Sequence, residues 1–214
     1  MDELVSRQLP RLYPIVDEEL LRARGVAVGR IAEELKAAGA TLLQYRNKVG
    51  AHQAILRDAA MIWEVFAGSE GRLIMNDRAD LVARAGFGGV HVGQGDLSPE
   101  DARRLVGAER WVGVSTHNDE QVRSANETSA DYVAVGPLFA TGTKLDAEAV
   151  IGLEGVRQAR ALTTKPIVAI GGITRANAKS VIDAGADSVA VISALLVEGE
   201  TVEKVVGDFL EILR

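Results

Sequence analysis

The sequence predicts an α/β fold, a single (β/α)8 TIM barrel over residues 1–214, and three observations carry that prediction. Short runs rich in valine, isoleucine and leucine recur about eight times along the chain. Segments with helical spacing of apolar residues alternate with them. No Pro/Ser-rich linker or break in composition marks a second domain.

The strand-like runs are Leu12 to Val16, Thr41 to Tyr45, Arg72 to Met75, Gly89 to Val92, Trp111 to Ser115, Asp131 to Val135, Pro166 to Ile170 and Ser188 to Ile192. Their apolar content is nearly continuous, as expected where both faces of a parallel sheet are covered by helices. Between them, Ile31, Leu35 and Ala38, and later Val181, Ile182 and Ala184, keep helical spacing, and a last helix runs near Val202 to Leu213. Ser98 before Pro99 reads as a helix cap with proline in the first turn, and Asn118 and Thr174 are candidate caps. Gly39 and Gly185 fall where helices should stop. Eight such units in 214 residues suit a closed barrel, with an open doubly wound sheet as the competing architecture.

Composition narrows function. Hydrophobic residues at 47% with 22 glycines describe a folded protein with many loops. The net charge of −6, without a lysine or arginine block, lacks the footprint of a nucleic-acid binder, so an anionic ligand needs local cations. The absence of cysteine excludes disulfides, thiolate nucleophiles and cysteine metal sites. No apolar run approaches the ~20 residues that span a bilayer, and the N-terminal residues do not read as a secretory signal. The expectation is a cytoplasmic protein without nucleic-acid or membrane partners. A homodimer is compatible with the sequence, which does not fix oligomeric state.

In a barrel, ligands bind at the carboxyl ends of the strands. The residues there are polar. The second strand ends in Gln44, Tyr45, Arg46, Asn47 and Lys48; the third in Asn76, Asp77 and Arg78; the fourth in Gly93 to Asp96; the fifth in Ser115, Thr116 and His117. Alternation along an extended segment sends Gln44, Arg46 and Lys48 to one side, where two cations and an amide could hold a pyrophosphate or simply form a solvated strand end. Asp77 and Asp96 end neighbouring strands and could share one Mg²⁺ through oxygen ligands, or act as helix or turn caps.

The sixth strand runs into Gly136 to Lys144, where Thr141, Gly142, Thr143 and Lys144 supply hydroxyls, bare N–H groups and an ammonium, a set that grips phosphate or makes an ordinary turn. Residues Ala140 to Ala149 carry few apolar anchors and are the candidate lid. The last two strands end in Gly171-Gly172 and Ile192-Ser193, which reads as a phosphate cradle or as close strand-to-helix packing. Of the three histidines, His91 reads as a barrel-lining residue and His117 is left open; none pairs with another at metal-ligand spacing. No nucleophile elbow occurs.

Taken in order, Gln44 to Lys48, Asn76-Asp77-Arg78, Val90 to Asp96, Gly113 to His117, Gly136 to Lys144 and Ala169 to Gly172 resemble the thiamine-phosphate synthase family over nearly the whole chain. The resemblance implies a (β/α)8 transferase that joins a hydroxymethylpyrimidine pyrophosphate to a thiazole phosphate, releases pyrophosphate and uses Mg²⁺. It implies that Gln44 and Ser115 contact the pyrimidine, that Arg46, Lys48, Asn76 and Lys144 hold the pyrophosphate, and that Asp77 and Asp96 bind the metal. Tyr45 and Asn47 join the substrate-binding set, and Arg46, Lys48, Ser115 and Lys144 the catalytic one. Thr141, Gly142 and Thr143, with Gly172, Ile192 and Ser193, would hold the thiazole phosphate. Ala140 departs from the family, which usually has proline there. A thiazole tautomerase and a non-catalytic phosphate-binding regulator on the same barrel are the other readings.

Overall fold

A computed structural model of the chain describes residues 9–140 and 149–214. Eight parallel strands form a closed barrel in chain order: β1 (Leu12–Asp17), β2 (Leu42–Arg46), β3 (Arg72–Asn76), β4 (Gly89–Val92), β5 (Trp111–Thr116), β6 (Tyr132–Val135), β7 (Ile167–Ile170) and β8 (Ser188–Val191). Leu12 and Pro14 on β1 pair with Val189 and Val191 on β8, which closes the ring. The open-sheet alternative is thereby excluded.

Helices follow the strands: α1 (Glu18–Ala23) and α2 (Val28–Ala37) after β1, α3 (His52–Phe66), α4 (Ala79–Ala85), α5 (Pro99–Val106), α6 (Asp119–Asn126), α7 (Gly152–Leu162), α8 (Ala178–Asp183) and α9 (Val202–Ile212). Local chemistry sets their starts. Ser98 Oγ accepts the Asp101 N–H at 3.1 Å with Pro99 in the first turn, and Asn118 Oδ1 accepts the Gln121 N–H at 3.0 Å. Thr174 does not cap: α8 starts later, and Asn177 Oδ1 instead accepts the Thr174 N–H at 2.8 Å. Gly39 and Gly185 both take positive φ just past α2 and α8. No helix among the described residues is long and apolar enough to cross a membrane.

The main core lies between sheet and helices, where Val16, Ile31, Leu35, Val82, Val133 and Phe209 are sealed from water. A second cluster fills the barrel itself with Leu9, Tyr13, Ile15, Leu42, Ile74, Trp111, Tyr132 and Val168 among others. At the amino end of the strands, the Arg72 guanidinium lies over the Trp111 ring at 4.1 Å. Two aspartates pin this end by the same device. Asp131 accepts the Val112 N–H of β5 at 2.7 Å and pairs with Arg103 of α5 at 2.6 Å. Asp187 accepts the Ile167 N–H of β7 at 2.8 Å and pairs with Arg160 of α7 at 3.0 Å. Each satisfies a strand donor that the ladder leaves unpaired and ties a helix to it.

Close approach inside the barrel demands glycine at Gly89, where a Cβ would stand 2.5 Å from the Trp111 carbonyl oxygen and 2.8 Å from Ile74 Cδ1. The first of these is backbone and cannot turn away. Gly89→Ala should therefore lower unfolding free energy by about 1–3 kcal/mol through overpacking. Urea melts with an unchanged slope would register it, and a variant as stable as its parent would contradict this packing.

Candidate functional site

The carboxyl ends of the strands surround a cavity of about 400 Å³. One wall carries Tyr13, Gln44, Arg46, Asn76, His91 and Ser115; the other carries Gly136, Pro137, Phe139, Gly171, Gly172, Ile192 and Ser193. Residues expected at six different strand ends thus meet in one space.

Behind the first wall, Asp17 ends β1 directly beside Arg46 at the end of β2. Its carboxylate is buried, accepts the Leu20 N–H at 2.9 Å to cap α1, and forms an ion pair with the Arg46 guanidinium. The sequence reading did not include Asp17. Lys48 Nζ stands 3.5 Å from Asp77 Oδ2, so both expected cations among the described residues already face a carboxylate. Asn76 is buried and its Nδ2 has no partner among the described residues, an orphan donor beside the cavity that invites an acceptor from a ligand.

Asp77 has φ +60°, a left-handed conformation that an aspartate tolerates better than most residues, held by its N–H donating to the His91 carbonyl at 2.8 Å. It does not cap α4, whose N-cap is Arg78. Burial pushes the Asp77 carboxyl above its ordinary value, Lys48 opposes the shift, and the adjoining Asp96 carboxyl adds to it. Asp96 also accepts the Gly93 N–H at 2.9 Å, which fixes its loop. The two carboxylates are together, as metal ligands must be. Among the described residues no group of three or more His, Asp or Glu side chains forms a metal cage.

Tyr45 and Asn47, expected among the substrate contacts, do not line the cavity, and neither do Lys48, Asp77 and Asp96. Tyr45 has the opposite parity to Gln44 and Arg46, so its ring turns outward, is fully buried, and donates to Asp58 on α3 at 2.5 Å. Asn47 donates to Tyr45 at 3.1 Å and accepts the Gly50 N–H at 2.7 Å, shaping the loop instead.

Deeper in the cavity a chain of hydrogen bonds runs across the barrel. Gln44 Nε2 donates to the Tyr13 hydroxyl at 3.0 Å, Tyr13 and Tyr132 hydroxyls lie 2.9 Å apart, Tyr132 meets His91 Nδ1 at 3.1 Å, and His91 Nε2 meets Ser115 Oγ at 2.9 Å. Burial pushes both tyrosine hydroxyls above their ordinary value. His91 lines the barrel as expected. Neither tyrosine was singled out from the sequence. His117, left open by the sequence, also lines the cavity, its Nδ1 2.7 Å from the Gly136 carbonyl oxygen.

On the opposite wall, Leu138 and Phe139 donate their N–H groups to the Ile170 and Gly171 carbonyls at 2.9 and 3.0 Å, zipping the loop after β6 to the end of β7. Gly172 has φ +64°, and a Cβ there would stand 2.8 Å from the Ala140 carbonyl oxygen. Ser193 opens a single 3₁₀ turn, Ser193–Leu195, directly after β8. Thr141, Gly142, Thr143 and Lys144 lie outside the described residues, as does the expected lid apart from Ala140 and Ala149.

A closed (β/α)8 barrel with a polar, two-walled cavity at the carboxyl ends of its strands has the architecture of the barrel enzymes. Comparison with known proteins specifies the family. Residues 12–195 match the family model described as thiamine monophosphate synthase. The chain is 52% identical to the thiamine-phosphate synthase of Koribacter versatilis over 97% of each chain, and 43% identical to that of Chloroflexus aurantiacus over 87% of this chain and 85% of the relative. Its structure is similar to that of thiamine phosphate pyrophosphorylase from Pyrococcus furiosus, with a TM-score of 0.83 and 31% identity over 95% of each chain. The chain belongs to the thiamine monophosphate synthase family.

Asp77→Asn should raise the melting temperature at neutral pH. The folded state holds this carboxyl above its unfolded value of 3.8, so ionisation costs stability once the pH exceeds that value. The cost disappears as pH falls below it. The advantage of the variant should therefore shrink between pH 7 and pH 4 in paired thermal melts. A lower melting temperature at pH 7 would show that the lysine contact outweighs burial.

Proposed function

We propose that this protein is a thiamine-phosphate synthase, a transferase that condenses 4-amino-2-methyl-5-hydroxymethylpyrimidine pyrophosphate with 4-methyl-5-(2-phosphoethyl)thiazole to give thiamine phosphate and pyrophosphate. The observation that carries this reading is the single cavity with two dissimilar walls. One has the amide, hydroxyl and guanidinium groups suited to a heterocycle and its pyrophosphate; the other has bare backbone suited to a phosphomonoester.

Gln44 and Ser115 hold the pyrimidine, and Arg46, Lys48 and the orphan amide of Asn76 hold its pyrophosphate. Lys144 adds a further cation to that set. Gly172, Ile192 and Ser193, with Thr141, Gly142 and Thr143, hold the thiazole phosphate. Among the described residues at the ends of the first four strands, Arg46 pairs with Asp17, Lys48 stands by Asp77, and Asp96 adjoins Asp77. A divalent cation between Asp77 and Asp96 would offset these carboxylates and favour a polyanion. Asp77 and Asp96 fit Mg²⁺, a hard ion that takes one or two carboxylates and completes its shell with water and substrate phosphates. When bound, Mg²⁺ supplies positive charge to the pyrophosphate oxygens.

The chain's own groups then act by charge and position. The pyrophosphate gains negative charge as its bond to carbon breaks, and Arg46 and Lys48 offset that gain more in the transition state than before it. The aminopyrimidine carries the methylene cation that remains, and Gln44 and Ser115 keep its plane in place. The thiazole nitrogen, held near by its own phosphate, attacks without a general base. Substrates are small molecules, and the protein acts in the cytoplasm.

Asp77→Ala should reduce turnover and raise the Mg²⁺ concentration for half-maximal rate by roughly tenfold or more, in keeping with loss of one of two carboxylate ligands. An unchanged Mg²⁺ response would remove Asp77 from the metal site. Supplying both substrates should release pyrophosphate in a coupled assay; thiazole isomerisation alone would identify a tautomerase, and binding without turnover a regulator. Arg46→Ala should weaken inorganic pyrophosphate binding in calorimetry by about tenfold, the scale of a lost charge-assisted contact.

A further inference from the structure

With the Gln44 amide nitrogen toward Tyr13, the hydrogen-bond chain beneath the cavity has only one arrangement that leaves no buried hydrogen unpaired. Gln44 Nε2 donates to Tyr13, so the Tyr13 hydroxyl is free to donate onward to Tyr132 at 2.9 Å. Tyr132 then spends its own hydrogen on His91 Nδ1. A neutral His91 that accepts at Nδ1 carries its proton on Nε2 and donates to Ser115 Oγ. The Ser115 hydrogen is left to point into the cavity. Rotating the Gln44 amide by half a turn presents its oxygen to Tyr13 and reverses every bond, so that Ser115 donates to His91 Nε2 and offers the cavity only its oxygen. Mixed arrangements orphan a hydrogen in a site where Tyr13 and Tyr132 are both 1% exposed, and such orphans are costly.

The barrel is shaped for this chain. A Cβ at Gly113 on β5 would collide with the Tyr132 ring, so the strand gives up a side chain to admit the ring beneath His91. That ring stacks on His91 with centroids 5.6 Å apart and meets the Tyr13 ring edge-on. Tyr132 itself does not line the cavity, whereas Gln44 and Ser115 at the two ends of the chain do.

We propose that Tyr13, Tyr132 and His91 form a relay that holds Gln44 and Ser115 at opposite hydrogen-bonding polarity, so that this wall offers a bound heterocycle one donor and one acceptor. An aminopyrimidine edge, with a donating amino group and an accepting ring nitrogen, matches it. An edge with two donors or two acceptors does not. This deepens, and rests on, the reading that the pyrimidine lies on this wall. Tyr13, Tyr132 and His91 are positioning residues.

The relay is tested in the substrate-free protein by ¹⁵N NMR of the His91 ring, assigned by its loss in His91→Asn. The parent should show one tautomer, protonated at Nε2. Tyr13→Phe leaves both His91 contacts in place yet frees the polarity of Tyr132, so a second population protonated at Nδ1 should appear. A parent protonated at Nδ1, or a Tyr13→Phe spectrum with the parent's tautomer, would overturn the relay. The parent spectrum decides alone should the variant not fold. In turnover, Tyr13→Phe should raise KM for the pyrimidine pyrophosphate by about three- to tenfold, the scale of one neutral hydrogen bond, and leave KM for the thiazole phosphate unchanged. A shifted tautomer with both KM values unchanged would overturn the placement of the pyrimidine and keep the relay.

Discussion

Pairing of β8 back onto β1 is the constraint from which the site follows. Because all eight strands are parallel and the sheet closes, every strand delivers its last residue to the same rim. Arg46, Asn76, Ser115, Gly171 and Ile192 are far apart in sequence yet share one cavity for this reason. The opposite end must then be immobile, or the rim would not keep its spacing. Asp131 and Asp187 supply that, each joining a strand N–H to an arginine of the preceding helix. The same chain pattern, Ala-Asp before a Val-Ala-Val strand, sets both.

Filling the barrel with polar groups runs against stability, and the structure shows how the conflict is met. Tyr13, Gln44, Tyr132, His91 and Ser115 satisfy one another in sequence, so the interior loses little to desolvation. Asp17 is satisfied twice, by a helix N-terminus and a guanidinium. Among the described residues one departure, the unpartnered Ser188 Oγ at the start of β8, lies away from the site, and two lie where function is expected. Asn76 keeps an orphan donor, and Asp77 combines a left-handed backbone with a carboxyl that burial drives toward neutrality. Both are unfavourable in the free protein and would be relieved by a ligand or cation.

Most of the architecture was legible in the sequence because each strand announces itself as an apolar run and each rim segment turns polar at once. Cap chemistry was legible where it is local, as at Ser98 and Asn118. It failed at Thr174, where Asn177 reverses the donor and acceptor roles and moves the helix start. Parity along β2 separates Gln44 and Arg46, which line the cavity, from Tyr45, which bonds to Asp58 on α3. The residues that sequence reasoning passed over have one cause in common. Asp17 looks like a helix cap and is one, but that it also faces Arg46 depends on the β1–β2 register. Tyr13 and Tyr132 sit 119 positions apart, and only closure of the barrel brings their hydroxyls together.

The two rim cations are prepared differently, and that difference bears on how they can act. Arg46 is mostly enclosed, its side chain 18% exposed, and its partner Asp17 is 4% exposed and fixed by α1. A guanidinium held this way has surrendered its freedom before any substrate arrives, so it can stabilise developing charge without first being ordered. Lys48 is 47% exposed and only 3.5 Å from Asp77, a contact that water screens and that is weak enough to exchange. Its ammonium can leave Asp77 for a phosphate oxygen at small cost, which frees that carboxylate for a cation. In the function proposed above, Arg46 would therefore set the position of the pyrophosphate, and Lys48 would follow it.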